Sequence, residues 1–471
     1  MAGRRRRGMV ATCLAVLVLL GGYVVGDLYD VVPGVLTASP PPPAAEAFPT
    51  APGAVRPSPA AAVLAAVDRK APQPNATALA AVLTPLVLAP QLGPGVSATV
   101  VDALTGEQLY AKEADVPREP ASVAKLLTAA AALHRLGPDA TTTTRAVQGV
   151  TADEVVLVGG GDVLLSAGAG SPTSVNGRAG LDDLAAATAA RLLRTGHTTV
   201  AVRLDDTLFT GNPMGPGWTH ADVTGGFAAP VSSVAVDAGR TRDANYAPRV
   251  FDPAMSAAGR FAELLAAHGV AVVGPVVRAV APGNPVVLAE VRSAPLGEVV
   301  GYMLQASDNN VAEALARLVA RDLGRTTAFP DAARAVLDEV SSLGLDTSSA
   351  RLVDGSGLGD GSALPASLLA GVLAKAASAD HPELRPLLVG LPVAGLNGTL
   401  ADRFRSDPAA VGLVRGKTGT LLGVTSLAGT VVDADGRLLA FAVLADHVHG
   451  TDPARDAVDR FAASLAACGC R

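Results

Sequence analysis

The sequence contains very little lysine. Only Lys70, Lys112, Lys125, Lys375 and Lys417 occur in 471 residues, and arginine supplies the other positive charges. The formal net charge is −6, and aromatic residues make up only 3% of the chain. A nucleic-acid-binding protein normally presents a basic surface, and a protein that stacks bases or sugars needs aromatic side chains. We therefore expect no nucleic acid partner.

Cysteine is almost absent too. Cys13 falls in the apolar N-terminal region, and Cys468 and Cys470 stand at the C-terminus. A C-x-C pair closes a very small and strained ring, and a 471-residue chain that is 49% hydrophobic can build its core without disulfides. We expect two or three domains and a frayed C-terminal tail.

The N-terminus has the pattern of a segment that directs export. Four arginines at 4–7 precede the apolar run 9–25, and positive charge before an apolar run places the rest of the chain outside the cytoplasm. No small-residue cleavage site follows closely, so we expect an uncleaved signal anchor, with a cleaved signal peptide as the alternative. Residues 1–26 would then be a basic tail and a transmembrane helix in the cell membrane. The Pro- and Ala-rich residues 27–75 would be a linker.

The remaining chain predicts an α+β fold. Residues 95–110 and 423–446 have the alternating pattern of β-hairpins, whereas residues 295–305 and 309–323 are amphipathic helices, and a last helix is expected at 453–466 with Asp452 as its N-cap. Short strand and helix patterns alternate between them. We expect one domain in two parts, 76–145 and 293–471, with an inserted smaller α/β domain at 146–292.

One of the five lysines lies in an apolar segment, three residues after a serine. Ser122 and Lys125 in "EPASVAKLLTAAAAL" would lie on one face of a helix. A serine hydroxyl is a poor nucleophile until a base takes its proton, and burial lowers the pKa of a lysine enough for it to serve as that base. A bare S-x-x-K motif is usually an ordinary stretch of helix, so the interpretation depends on other motifs.

Two such motifs follow, Ser307-Asp308-Asn309 and Lys417-Thr418-Gly419. We expect Ser307 to end one helix and cap the next. We expect Lys417 to start a strand in which Gly419, without a side chain, lets a substrate backbone approach closely. With S-x-x-K, the two motifs form the signature of penicillin-binding proteins and class A β-lactamases. From about residue 95 the chain resembles the low-molecular-mass class C penicillin-binding proteins, the D-alanyl-D-alanine carboxypeptidase/endopeptidase family. The stretches that carry the resemblance include "VGGGD" (158–162), "FAAPVSSVAVD" (227–237), "MLQASDNNVAEAL" (303–315), "LVDGSGL" (352–358), "LPVAGLNGTLADRF" (391–404) and "GKTGTLLGVTSLAG" (416–429).

The resemblance implies a transpeptidase-like domain with an antiparallel sheet flanked by helices, an all-helical lobe, and inserted domains between the first two motifs. Only residues 126–306 separate those motifs here, so we expect one of the two customary inserted domains to be reduced or missing. It also implies a serine peptidase acting on peptidoglycan stem peptides ending in D-Ala-D-Ala, inhibited by β-lactam antibiotics, without metal or cofactor. The implied catalytic residues are Ser122, Lys125, Ser307 and Asn309; the substrate-binding residues are Lys417, Thr418, Gly419 and Thr420; and the supporting residues are Asp308, Asp354 and Ser356.

Two alternative functions remain open. A β-lactamase or esterase would use the same scaffold, although no E-x-x-L-N stretch lies between Lys125 and Ser307 to supply a deacylating glutamate. A non-catalytic wall-binding protein would retain the pocket, but its motifs would not need to stay intact. His447 and His449 alternate along a predicted strand, but no third ligand at zinc-site spacing accompanies them. Trp218, the only tryptophan, is expected to be a packing residue of the inserted domain.

Overall fold

The computed structural model describes residues 20–29, 31–32 and 69–469. The chain divides into two compact units, residues 1–65 and 66–471. In the first unit, residues 20–28 form a helix. Within the described ranges, no helix combines the length and the apolar character that crossing a membrane requires. Most of the predicted anchor, residues 9–25, lies outside the described residues, so the transmembrane helix stays a prediction.

The helices and strands of both units are numbered together in chain order. The described helices are 20–28 (α1), Ala76–Val87 (α2), Lys125–Leu136 (α3), Leu181–Arg194 (α4), His220–Thr224 (α5), Pro253–Ala267 (α6), Leu296–Ala306 (α7), Asn309–Asp322 (α8), Phe329–Ser342 (α9), Ala366–Ala377 (α10), Arg385–Val389 (α11) and Thr451–Ala467 (α12). The strands are Gly95–Asp102 (β1), Gln108–Lys112 (β2), Thr143–Gln148 (β3), Glu154–Val158 (β4), Asp162–Leu165 (β5), Thr199–Asp205 (β6), Val234–Val236 (β7), Ala271–Val272 (β8), Val277–Arg278 (β9), Val287–Arg292 (β10), Val414–Leu421 (β11), Val424–Val432 (β12) and Leu438–Asp446 (β13).

A five-stranded antiparallel sheet joins the two ends of the unit. Its order is β11-β12-β13-β1-β2, so the first strand pairs with the last. One face carries large apolar side chains such as Phe441, which pack against α2 and α12. The other face carries Ala428, Ala440 and Ala442, whose small side chains let α10 approach closely. Both predicted hairpins and the mixed α+β class are confirmed.

An all-helical lobe covers the alanine-rich face of this sheet. Its centre is α3, whose residues Lys125–Leu133 are all buried, and α7, α8, α9, α10 and α11 pack around it. Alanines at 129–132 leave room for these neighbours on every side of α3. Lys125 therefore lies at the end of the most enclosed helix of the lobe.

A second sheet is inserted between α3 and α7. Its order is β10-β3-β4-β6-β8, with β9 also pairing with β6. The β10-β3-β4 pairs are antiparallel, and β6 pairs in parallel with β4, β8 and β9. Leu184 of α4 and Phe261 of α6 pack into its core. These strands span residues 143–292, and the domain boundaries and the reduced second insertion stay predictions.

The C-terminus differs from its prediction in two details. The residue that precedes α12 is Gly450, not Asp452, which lies in the first turn. Cys468 is disulfide-bonded and only 5% exposed, and its carbonyl oxygen accepts a hydrogen bond from the Ala434 N–H. The expectation of a frayed tail is therefore wrong as far as Cys468, because this residue packs against the core. Cys470 lies outside the described residues.

Candidate active site

Ser122 lies at the start of the lobe, but not inside the long helix that was predicted to carry it. It belongs to a short 3₁₀ helix, Ala121–Ala124, and α3 begins at Lys125. Ala121, directly before the serine, has φ +49°. Such a conformation in a non-glycine residue costs on the order of 1–3 kcal/mol and persists only where the surroundings impose it. The turn directs the partly exposed Ser122 towards a cleft.

Lys125 is fully buried and makes three polar contacts. Its Nζ lies 2.9 Å from Ser122 Oγ, 2.6 Å from Asn309 Oδ1 and 2.8 Å from the carbonyl oxygen of Ser356. The structure therefore joins three segments that are far apart in sequence. Of the motif residues predicted from the sequence, Ser122 and Asn309 both contact Lys125.

These contacts can be made by the ammonium form, whose three hydrogens match three acceptor oxygens, and also by the neutral amine that a general base requires. Asn309 Nδ2 donates to the carbonyl oxygen of Phe227 at 2.9 Å, which fixes the amide so that its oxygen faces Lys125. The Asn309 and Ser356 oxygens can only accept, and a neutral amine has two hydrogens to donate. Its lone pair is then directed at Ser122, the one neighbour that has a proton to give. The arrangement fits a general base next to its nucleophile.

The electrostatic surroundings of Lys125 agree with this geometry. Burial lowers the pKa of its amine from 10.5 to about 8, because the apolar interior disfavours the ammonium form. The carboxyl groups of Asp354, Glu313 and Asp308 act in the opposite direction, but burial has the larger effect. A substantial neutral fraction is therefore present near neutral pH.

The second motif forms the junction between α7 and α8. Ser307 ends α7 in a left-handed conformation, with φ 54° and ψ 36°. Asp308, and not Ser307 as predicted, caps α8: its Oδ1 accepts from the Val311 N–H at 3.1 Å. This division of roles leaves the Ser307 hydroxyl free of capping and places Asn309 in the first turn of α8.

Asp308 also connects this junction to the inserted segment. Its Oδ2 accepts hydrogen bonds from Arg240 at 2.6 Å and from Arg249 at 3.1 Å, and its side chain is fully buried. These two guanidinium groups hold the pKa of Asp308 below its usual value even though burial acts to raise it. Asp308 was predicted as a supporting residue, but nothing in the sequence indicated that its partners are arginines about 60 residues upstream.

Lys417 lies in the middle of β11 and not at its start, as expected from the sequence. Its Nζ donates to Ser307 Oγ at 2.8 Å and to the carbonyl oxygen of Thr418 at 2.8 Å. Burial lowers its pKa well below the usual value, and the positive charges of Lys125 and Arg403 lower it further. Ser307 thus contacts Lys417, and the described contacts include none between Ser307 and Lys125.

The rest of the third motif continues along the same edge strand. Thr418 Oγ1 donates to Thr399 Oγ1 at 2.9 Å, and Thr420 Oγ1 accepts from Arg455 at 3.4 Å. The sequence interpretation gave Gly419 the task of letting a substrate approach. The structure adds a second reason: a Cβ at Gly419 would lie 2.6 Å from the carbonyl oxygen of Pro120, so only glycine lets β11 pack against the turn before Ser122.

The loop around Asp354 contributes one of the hydrogen-bond acceptors of Lys125. Asp354 accepts from the backbone N–H groups of Ser356, Gly357 and Gly359, so this carboxylate holds the loop in a tight conformation. Ser356 then presents its backbone carbonyl, not its hydroxyl, to Lys125. Trp218 was predicted to be a packing residue. Its Nε1 also donates a hydrogen bond to Asp354 at 3.2 Å, so it contacts the loop that holds Lys125 in place.

Glu313 is a residue beside the site that no sequence motif indicated. It is fully buried one turn beyond Asn309 in α8, and its Oε2 accepts from the Gly355 N–H at 3.0 Å. Burial and the charge of Asp354 raise its pKa to about 8. The spacing of four from Asn309 was a usable signal, because residues four apart share one helix face.

These elements border a cleft of about 1130 Å³. Ser122, Ser307 and Asn309 lie on its walls together with Thr418 and Thr420. Further cleft residues that no sequence motif indicated are the arginines Arg240, Arg249, Arg403, Arg405 and Arg455. Each of these arginines forms an ion pair with an aspartate of the same cleft, so they give it no net positive charge.

Comparison with known proteins gives consistent results. The chain matches the D-Ala-D-Ala carboxypeptidase 3 (S13) family over residues 79–247 and 242–467. It is 41% identical over 432 residues to Carboxypeptidase DacB of Mycolicibacterium smegmatis, with 91% of each chain covered. It is 30% identical over 437 residues to a D-alanyl-D-alanine carboxypeptidase of an Actinomadura species, covering 75% of this chain and 78% of the relative. Crystalline penicillin binding protein 4 (dacB) of Haemophilus influenzae superposes with a TM-score of 0.66 at 21% identity, covering 83% of this chain and 98% of the other.

Proposed function

The chain belongs to the D-Ala-D-Ala carboxypeptidase 3 (S13) family, and from this membership we propose that it removes the terminal D-alanine from peptidoglycan stem peptides. The family predicted from the three motifs is confirmed. The observation that carries the catalytic proposal is the contact of 2.9 Å between Ser122 Oγ and the buried amine of Lys125. A non-catalytic wall-binding protein would have no need of this pairing.

In the proposed reaction, Ser122 attacks the carbonyl carbon of the penultimate D-alanine. Lys125 takes the hydroxyl proton as the new C–O bond forms. The backbone N–H groups of Ser122 and Thr420 are proposed to stabilise the oxyanion, which is usually the largest single contribution to rate in acyl transfer. The C–N bond then breaks, and the terminal D-alanine leaves as the free amino acid after its nitrogen gains a proton. Water hydrolyses the ester on Ser122 and completes the cycle.

The second and third motifs supply the remaining parts. We assign delivery of the proton to the leaving nitrogen to Ser307, whose hydroxyl lies on the cleft wall. Ser307 gives its own proton to the nitrogen and regains the proton that Lys125 took from Ser122, which leaves Lys125 neutral again for the hydrolysis step. Lys417 holds this hydroxyl at 2.8 Å, and Thr418 and Thr420 offer hydroxyl groups beside it for the substrate carboxylate. A β-lactam presents a similar carboxylate and an acyl carbon, so it is expected to acylate the same serine.

The test is the Ser122→Ala variant. Wild-type protein should become covalently labelled by a fluorescent penicillin and should release D-alanine from a D-Ala-D-Ala peptide, whereas the variant should do neither. Ser349→Ala, at an exposed position after α9, is the matched control and should behave as wild type. A stable penicillin adduct on the Ser122→Ala protein would show that another residue is the nucleophile.

The same assays separate the alternative functions. A β-lactamase would release hydrolysed penicillin with rapid turnover and leave D-Ala-D-Ala peptides intact. A wall-binding protein would bind peptide without a covalent adduct. A cross-linked peptide dimer, offered beside the D-Ala-D-Ala peptide, measures whether the enzyme is also an endopeptidase.

We also propose that the catalytic unit lies outside the cytoplasm, held by a single N-terminal membrane anchor. The support is the arginine cluster at 4–7 followed by the apolar run 9–25, and the extracytoplasmic location of peptidoglycan. Protease treatment of intact spheroplasts should digest the catalytic unit if it faces outwards. Recovery of an intact catalytic unit in the soluble cytoplasmic fraction would contradict this location.

A further inference from the structure

Two histidines and a glutamate converge on the helical lobe, away from the cleft. His134 lies in the last turn of α3, and His381 and Glu383 lie in the connection between α10 and α11. Glu383 Oε1 is 3.2 Å from His134 Nδ1 and 3.1 Å from His381 Nδ1. A single carboxylate oxygen is therefore held between two imidazole nitrogens. The catalytic proposal makes no use of these residues.

The spacing of these atoms is close to that of ligands around zinc. With bonds of about 2.0–2.1 Å, a tetrahedral zinc ion holds neighbouring ligand atoms about 3.3–3.4 Å apart. One ligand atom from each of the three residues lies within 4.8 Å of the other two. Small rotations of the side chains would bring all three into a coordination sphere. The three side chains are 23–29% exposed, which leaves water access to a fourth position.

A second carboxylate supports the cluster from the other side of His134. Glu339 of α9 is nearly buried, and its Oε1 lies 3.7 Å from His134 Nε2, the ring nitrogen that faces away from Glu383. Metal-bound histidines commonly direct their second nitrogen at a carboxylate, which fixes the ring and its tautomer. A simple hydrogen-bonded pair of histidine and glutamate does not need this second acidic group.

The charge balance also favours a cation. The cluster contains two carboxyl groups, Glu339 and Glu383. Within the described ranges, neither forms an ion pair with a lysine or an arginine; their only ion-pair partners are the two histidines. A divalent cation would compensate both carboxylates.

We propose that His134, His381 and Glu383 bind a zinc ion, with water as the fourth ligand and Glu339 orienting His134. Imidazole nitrogen and carboxylate oxygen together suit zinc better than calcium or magnesium, which prefer oxygen ligands. The sequence predicted no metal because His134 and Glu383 are separated by 249 positions, so no spacing motif exists. The ion would tie the end of α3 to the α10–α11 connection.

The proposed role is structural. His134 is nine residues beyond Lys125, about 13 Å along α3 at 1.5 Å per residue, so the ion would not touch reacting atoms. Fixing one end of α3 would instead restrain the helix whose other end carries the catalytic amine. Zinc should therefore raise the thermal midpoint of the protein and leave the residue labelled by penicillin unchanged.

The experiment is calorimetric titration of zinc chloride into the full chain, purified without a polyhistidine tag and treated with a chelator. Wild type should bind one zinc ion per chain. Glu383→Gln and His381→Ala should lose this binding, and Glu339→Gln should weaken it about 10–100-fold. Calcium and magnesium should give no comparable binding. His449→Ala, a histidine outside the cluster, is the matched control and should bind zinc as wild type does.

Folding is checked in the same samples. Each variant should still form the covalent penicillin adduct, which requires an intact cleft. Because Glu383→Gln changes only one oxygen to an amide, it decides the result even if His381→Ala fails to fold. Absence of saturable zinc binding by wild type, or undiminished binding by Glu383→Gln, would overturn the proposal.

Discussion

Replacing Lys125 with arginine tests the central chemical claim, that this residue acts as a neutral amine. Arginine keeps the positive charge and can still reach Ser122, but its guanidinium does not lose a proton at accessible pH. If Lys125 only oriented the serine as a cation, arginine would preserve much of the activity. If it is the base, the Lys125→Arg protein should lose about 10²–10⁴-fold in acylation rate, the usual contribution of general base catalysis.

The size of the pKa shift sets the expected pH profile. With a pKa of about 8, roughly 9% of the Lys125 amine is neutral at pH 7, against about 0.03% at the ordinary value of 10.5. Burial therefore increases the reactive form by a factor of about 300. The second-order rate of labelling by a fluorescent penicillin should rise roughly tenfold per pH unit below pH 8 and level off above it.

The matched control is Lys375→Arg, in the last turn of α10, where the lysine is partly exposed. This protein should keep the wild-type rate and pH profile, because Lys375 does not contact the site residues. Two results would refute the reasoning: a Lys125→Arg protein with more than about a tenth of the wild-type rate, or a wild-type profile that is flat from pH 6 to 9. Either would show that another group removes the Ser122 proton.

Three further predictions concern buried ionisable residues around the site. Lys417→Ala should slow acylation by substrates with a free terminal carboxylate about 10–150-fold more than by simple esters, matching a charge-assisted contact of about 1.5–3 kcal/mol; equal losses would mean that Lys417 acts through Ser307. Asp308→Ala should lower the free energy of unfolding by about 3–5 kcal/mol in urea, because Arg249 is left buried without its carboxylate; a loss below about 1 kcal/mol would contradict this. Glu313 has a raised pKa, so wild type should lose stability as pH rises from about 4.5 to 8, and Glu313→Gln should lose less; equal losses would disprove its burial as an acid.

The sequence predicted the parts of the site that depend on chemistry carried by short motifs. Ser122, Lys125 and Asn309 meet as expected, because each motif is fixed on a rigid element: a turn before α3 and the first turn of α8. The hairpins were predictable because strand-like runs flank short turn segments, although both faces of the sheet are buried. Both signals are local in sequence.

What the sequence could not predict are contacts whose partners are chosen by tertiary packing. Ser307 was predicted as a catalytic residue, and the left-handed end of α7 brings its hydroxyl to Lys417. Ser356 was predicted as a supporting residue, and the turn closed by Asp354 directs its backbone carbonyl at Lys125. The decisive variable in both cases is a backbone dihedral angle, and no residue pattern in those segments specifies it.

The inserted segment contacts residues that position the catalytic groups. Arg240 and Arg249 neutralise Asp308, the Phe227 carbonyl orients Asn309, and Trp218 donates to Asp354. Each contact acts on a group that itself fixes Lys125 or the junction beside it. Removing the segment would leave a buried carboxylate without its arginines and an amide free to turn its NH₂ towards the lysine. Such an amide would compete with the Ser122 proton for the lone pair, so we expect activity to require the insertion even though none of these four residues supplies the nucleophile or its base.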